Sequence, residues 1–462
     1  MQCGKCFCNV CQIDAVASNL QGERNACHTI NRNALIYSQN ICVQIMQKKK
    51  QIAVLGYGVV GSGVLELFYQ NQEKIEKNTG YSMDIKYILD LRTFEGDPYA
   101  DKVVHDINVI LQDPEVGYVA ECMGGVNPAF EFVSSCLKAG KSVSTSNKQL
   151  VAEKGDILLQ IAKENNCNFF FEASVGGAIP IMRPLHTCLA ANDLYAVAGI
   201  LNGTTNFILE KMFCDQMSFA DALALAQQLG YAERNPSADV DGADACRKIC
   251  IISSLVFGKH VYPDSVFTKG IRDIQLEDVK LAQQLGGTVK LIAQVVREDD
   301  GKILPTVMPM VVMQDSLLSH VNGVFNAIMV WGDGIDKTMF YGRGAGKMPT
   351  ASAVLGDIID EVKSNGTVPA QTWETSSDTD FIANIDTFVA PRMFRTSTCA
   401  ADVAKQAAGQ VGVTVRMHTE NGFLVSACTE RIAAKLTDAL QSLGVTVYSQ
   451  IPVLKDHSKF SE

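Results

Sequence analysis

The sequence predicts an α/β protein in three parts: a doubly wound parallel-sheet domain, an α+β domain set into it, and a small C-terminal βαββαβ module. Three observations lead there. Gln51 to Leu55 is a short apolar strand that runs into Gly56-Tyr57-Gly58-Val59-Val60-Gly61 and then into an amphipathic helix through Lys77. Apolar strand-like runs then alternate with helical ones up to residue 170. Residues 385–462 read strand, helix, strand, strand, helix, strand, the order of a ferredoxin-like module.

The 462 residues are enough for two to four cores, and 47% hydrophobic with 19% charged content is that of an ordinary soluble domain protein. A net charge of −10 disfavours a nucleic-acid or anionic-membrane surface. No apolar run reaches 18 residues, so no membrane-spanning helix is expected. Six cysteines (Cys3, Cys6, Cys8, Cys11, Cys27, Cys42) crowd the first 45 residues, and the other nine are scattered singly, as reduced thiols of a cytoplasmic protein are. Residues 1–45 lack a signal-peptide core and read as a non-essential extension. The competing reading, a zinc knuckle, fits poorly with the irregular spacing and the missing second CxxC.

Residues 46–170 form the expected nucleotide-binding (Rossmann) domain. Gly56 and Gly58 allow a tight turn that brings backbone N–H groups to a pyrophosphate. Gly61 lets the helix pack on the strand, and Val59 and Val60 open its positively polarised end. A second strand, Asp84 to Leu89, leads to Asp90, 32 residues after Gly58, placed to accept ribose hydroxyls of NAD. Arg92 is placed instead for the 2′-phosphate of NADP, and the choice stays open. The strand from Tyr118 ends in Gly124-Gly125, where a cofactor passes the sheet edge. Asn127-Pro128 starts a helix to Ala139, which Gly140 caps. The strand Lys141 to Thr145 delivers Ser146-Asn147-Lys148 to the crevice outside the strand ends, which favours a chemical role for Lys148 over a surface cation.

Residues 171–339 form the second domain. Phe169 to Phe171 ends in Glu172 and a turn with Gly176 and Gly177. Asn202 to Asn206 packs amides and hydroxyls between apolar runs. Glu233, Asp239, Asp241, Asp244, Arg247 and Lys248 follow, with Asp221 upstream; such mixed charge between apolar segments calls for water or a polar substrate. An apolar helix is expected over Ile249 to Phe257, and strands over Gly286 to Ala293, Val307 to Met313 and Ala327 to Trp331. The glycine cluster ending at Gly346, with the helix to Asp360, is a return crossing (340–360) that completes the cofactor site. The polar stretch 361–384 reads as a linker.

Taken together, GYGVVG, ECMGG, SNK, EASVGGAIPI, LNGTTNFIL, the E–D–D–K series and YGRGAGKMPTASAV make the chain resemble homoserine dehydrogenase, over roughly Gln51 to Asp360. The tail resembles an ACT regulatory domain. The resemblance implies NAD(P)-dependent interconversion of L-homoserine and L-aspartate 4-semialdehyde on the route to threonine, isoleucine and methionine. It implies Lys248 as proton donor and acceptor at the substrate oxygen, Lys148 beside nicotinamide and substrate, and Asp244 and Asp239 as carboxylates around the substrate. Glu233 would bind the substrate amino group. Carbonyls around Glu172, Val175, Gly177 and Ile179 would hold a sodium ion. Three departures stand out: Ala178 for a third glycine, Asn235-Pro236 for Asp-Pro, and Phe394-Arg395-Thr396-Ser397 for the DxPG effector turn. The last leaves two roles open for the tail, effector binding or assembly. Apolar strands in the second domain suggest a homodimer or homotetramer. A non-catalytic nucleotide sensor would have lost the lysines and the acidic series, and other dehydrogenases of this layout lack the NGTTNFIL-to-DACRK segment.

Overall fold

A computed structural model describes residues 49–364, 372–376 and 379–459. The cysteine-rich residues 1–45, and with them the extension and zinc-knuckle readings, lie outside the described residues. The first domain contains β1 (Lys50–Leu55), α1 (Val59–Gln70), α2 (Gln72–Thr79), β2 (Met83–Leu89), β3 (Val103–Val104), α3 (Ile107–Gln112), β4 (Val116–Glu121), α4 (Ala129–Lys138), β5 (Ser142–Thr145), α5 (Lys148–Glu164) and β6 (Phe169–Phe170). Its six strands are all parallel in the order β3-β2-β1-β4-β5-β6. The switch point lies between β1 and β4, where such sheets open a crevice for dinucleotides. The helix expected through Lys77 is two helices. Asn71 leaves helical geometry, and its side-chain amide bonds the Leu67 carbonyl, the local competition that makes Asn a helix breaker.

The second domain contains β7 (Leu194–Ile200), α6 (Gly203–Cys214), α7 (Phe219–Gln228), α8 (Ala243–Phe257), β8 (Phe267–Thr268), α9 (Leu276–Gln284), β9 (Gly287–Arg297), β10 (Ile303–Met313), β11 (Phe325–Gly332) and β12 (Asp336–Arg343). These strands make a mixed sheet in the order β12-β11-β7-β9-β10-β8. Three of them, β7, β8 and β12, were not read from the sequence. α8 begins six residues before the expected Ile249, so Asp244 and Lys248 both ride on it. The apolar count hid this start, because the first turn carries the polar site residues.

A long helix, α10 (Lys347–Ser364), returns to the first domain and lies on α1. The approach is close: a Cβ on Gly63 would sit 2.9 Å from Lys347 Cγ and 3.0 Å from its carbonyl oxygen. Buried carboxylates fasten α10 to the parallel sheet. Ser144 donates to Asp357 (2.9 Å), Ser142 to Glu361 (2.7 Å) and Asn168 to Glu361 (2.8 Å).

The tail contains β13 (Ala390–Thr396), α11 (Ala401–Gln410), β14 (Val415–Thr419), β15 (Gly422–Cys428), α12 (Glu430–Ser442) and β16 (Val447–Pro452), with antiparallel order β14-β15-β13-β16. Phe394 and Phe423 stack at its centre against Ala404, Ala407, Leu436 and Leu440. β13 starts at Ala390, because residues 385–387 form a helical turn first. The tail is docked: Arg395 pairs with the fully buried Asp278 (2.6 Å), Leu454 donates to the Val311 carbonyl (2.9 Å), and the Trp331 indole donates to Asp456 (3.0 Å).

Candidate active site

The crevice begins at the glycine turn. Gly56 adopts φ +91°, and a Cβ on Gly61 would lie 1.9 Å from the Gly56 carbonyl oxygen, so neither position accepts a side chain. A Cβ on Gly58 would meet open space, as would one on Gly124 across the switch point. The N–H groups of Val59, Val60 and Gly61 open α1 without helical acceptors. A bare backbone turn, a helix N-terminus and an open edge are what a pyrophosphate needs, so these residues fit a dinucleotide. Gly346 (φ +124°) ends the loop that leads into α10, beside α1.

At the far end of β2, Asp90 is already engaged. Its carboxylate accepts from the Tyr57 N–H (2.8 Å), the Arg92 N–H (3.0 Å), Arg92 Nε (2.9 Å) and Arg92 Nη2 (2.8 Å). These four bonds fill its lone-pair sites, and the Arg92 fork holds the carboxyl well below the usual carboxylate range. Arg92 is 61% exposed at its side chain and lies 5.0 Å from the Phe94 ring centroid.

Three separated segments meet at Asp244. Lys148 is the first residue of α5, whose N-cap Asn147 accepts from Leu150 N–H and donates to the Gly125 carbonyl (2.6 Å). Lys148 Nζ lies 2.5 Å from Asp244 Oδ1. Lys248, one turn along α8, puts its Nζ 2.8 Å from Asp244 Oδ2 and donates to the Leu201 carbonyl (2.7 Å). The i,i+4 spacing sets Asp244 and Lys248 on one face. Asn202 caps α6 by accepting from Thr205 N–H, and its amide donates to both Asp239 (2.7 Å) and Asp244 (2.9 Å). Asn202 was missed as a site residue; the available signal was an Asn in N-cap position before an apolar helix, inside an amide-rich motif.

Lys248 and Asp244 are 5% and 6% exposed. Burial favours neutral Lys248 and outweighs the attraction of Asp244, so its ammonium is more acidic than a free lysine. Burial pushes the Asp244 carboxyl up, but Lys248 and Lys148 together overcome it and hold the group well below its ordinary value. Asp239 is raised, chiefly by burial, against the Asn202 hydrogen bond.

Other predicted residues lie elsewhere. Glu233 sits on an exposed loop after α7, and its carboxylate joins none of these contacts. Asp241 pairs with Arg272 through two hydrogen bonds, and Asp221 bonds the Ser218 cap of α7. The Glu172 carboxylate accepts from the N–H groups of Ile181 (2.6 Å), Met182 (2.9 Å) and Arg183 (2.8 Å). That leaves carbonyls, such as those of Val175, Gly177 and Ile179, as the oxygens this loop offers. Gly177 (φ +56°) leaves no room for a Cβ, which would meet Gly344 at 2.6 Å. Among the described residues no group of three or more His, Cys, Asp or Glu side chains is arranged for a metal.

A dinucleotide crevice whose neighbouring loops converge on a lysine–carboxylate–lysine cluster defines a nicotinamide-dependent oxidoreductase. Residues 56–172 match the NAD-binding domain of homoserine dehydrogenase, and residues 180–359 match the homoserine dehydrogenase family itself. The homoserine dehydrogenase of Bacillus subtilis is 40% identical over 320 residues, 69% of this chain and 74% of its own. The crystal structure of a homoserine dehydrogenase from Thiobacillus denitrificans covers 88% of this chain and 99% of its own at a TM-score of 0.80 and 29% identity. A hyperthermophilic archaeal homoserine dehydrogenase in complex with NADPH covers 70% and 99% at a TM-score of 0.59 and 26% identity. The chain belongs to the homoserine dehydrogenase family.

Replacing Asp244 by Asn leaves Lys248 buried without its counter-charge. Equilibrium urea unfolding should show a loss of about 3 kcal/mol, and unchanged stability would refute the cluster's structural weight.

Proposed function

We propose that the chain interconverts L-homoserine and L-aspartate 4-semialdehyde with Lys248 moving the proton at the substrate oxygen. The observation that carries this reading is the Asp244 carboxylate bridging two lysines at the mouth of a dinucleotide crevice. Oxidising a primary alcohol removes a hydride from carbon and a proton from oxygen. A bound nicotinamide supplies the hydride acceptor, and the donor in reverse. Lys248 must be neutral to take the proton, and its burial favours that form. In reduction, protonated Lys248 returns the proton, and the Lys148 ammonium steadies charge on the oxygen. Asp239 and Asp244 hold the substrate's charged end, with Glu233 reaching its amino group from the exposed loop. No described helix is long and apolar enough to cross a membrane; the singly scattered cysteines fit a cytoplasmic enzyme.

Saturation of Asp90 by Tyr57 and Arg92 supports NADP over NAD, since the ribose hydroxyls find no free carboxylate oxygen while Arg92 presents charge to a 2′-phosphate. The carbonyls of Glu172, Val175, Gly177 and Ile179 would take a sodium ion. The tail, ACT-like in element order, serves assembly of a homodimer or homotetramer more than effector binding, because Arg395, which the structure puts in β13, is spent on Asp278.

Sign and size follow for the proton step. Initial rates of homoserine oxidation should rise with pH through a limb below the ordinary lysine value of about 10.4, and Lys248→Met should lower kcat about 1,000-fold. A Met variant with wild-type turnover would sink the assignment. Arg92→Ala should raise KM for NADP roughly 10-fold or more and leave KM for NAD nearly unchanged; the opposite pattern gives the role to Asp90. Sedimentation and rates with and without sodium or L-threonine test the remainder: a monomer, indifference to sodium, or threonine inhibition would each overturn its part.

A further inference from the structure

Residues 372–375 belong to the stretch that reads as a linker, yet they are built into the molecule. Trp373 is 7% exposed, and its indole N–H donates to His260 Nδ1 (2.8 Å). That bond fixes His260 as the Nε2–H tautomer. His260, 2% exposed, is thereby the donor to the Ala152 carbonyl at 3.0 Å. Ala152 lies one turn along α5 from Lys148. Two turns along, Gly155 makes room for the indole, since a Cβ there would stand 2.9 Å from Trp373 Cζ2. The same segment grips the end of α8: Glu374 N–H donates to the Gly258 carbonyl, and His260 N–H to the Glu374 carbonyl, both at 2.9 Å. Tyr262 closes the cluster, with its ring 4.3 Å from His260 and its hydroxyl donating to the buried Asp156 (3.1 Å).

α5 carries Lys148 at its first residue, and α8 carries Asp244 and Lys248. The two helices pack against each other, so their relative placement sets the gap that Asp244 spans. We infer that Trp373 and His260 are positioning residues, which clasp α5 to the end of α8 and hold Lys148 where Asp244 can bridge both lysines. Neither residue touches the cluster itself, and the inference rests on the roles proposed above for Lys148 and Lys248. The titratable groups that face Lys248 are Asp244, Lys148 and Asp239. Withdrawing Lys148 leaves Asp244 to Lys248 alone, which raises the pH at which Lys248 becomes neutral.

Trp373→Phe keeps an aromatic ring in the pocket and removes the N–H; His260→Ala removes the bridge. Each should cut kcat for homoserine oxidation about 5-fold or more while KM for the dinucleotide stays within about 2-fold, and should move the acid limb up by about half a pH unit. The double variant should be no worse than the more affected single one, as expected of groups acting as a unit. Rates are read per folded molecule, with urea unfolding run on each variant. Wild-type kcat and acid limb in both single variants, or a loss that merely follows the folded fraction, would overturn the clasp. If the wild-type chain fails to oxidise homoserine, the proposed reaction falls, and amide hydrogen exchange over Leu150 to Gly155 decides the clasp: faster exchange in Trp373→Phe supports it, and unchanged protection refutes it.

Discussion

The Asp244 carboxylate is the point on which the architecture turns. It lies between two ammonium groups, and one of its oxygens also accepts from Asn202. A lone buried lysine would be forced neutral and a lone buried carboxylate forced to protonate. Together they keep a charged cluster inside the protein. Burial wins at Lys248, which is made more acidic, whereas the two cations win at Asp244. Lys248 is thus shifted toward its neutral form, and Asp244 is held as an anion.

Holding that balance requires three chain segments far apart in sequence. Lys148 opens α5 just after β5, Asn202 and the Leu201 carbonyl lie between β7 and α6, and Asp239, Asp244 and Lys248 come from the turn before α8 and from α8 itself. The return helix α10 joins the two domains through buried acids. Asp357 accepts from Ser144 and Arg183, and burial, with Glu172 nearby, pushes its carboxyl up to about 7. Glycines give the same junction its closeness: Gly177 faces Gly344, and Gly344 in turn leaves no space for a Cβ, which would lie 1.9 Å from Asn326 Nδ2.

Much of this was legible. The strand–glycine turn–helix order located the dinucleotide crevice, because the turn needs φ and space that glycine alone provides. The D-x-x-x-K spacing put Asp244 and Lys248 on one face as soon as α8 was allowed to start at Ala243. That start was misplaced because polar site residues look like a loop when apolar content is counted. Asn71 was absorbed into one long helix because its competition with the backbone is a local effect that periodicity does not register.

The sequence by itself determined the element types, the glycine-dependent turns and the inventory of charged groups, since these depend on local backbone sterics and on period. Only the tertiary structure decided partners. It put Asn202 between two carboxylates, left Glu233 on an exposed loop, paired Asp90 with Arg92, and set Trp373 of an apparent linker against His260. Side-chain charge states followed the same way, because burial and neighbouring charge exist only once distant segments are packed together.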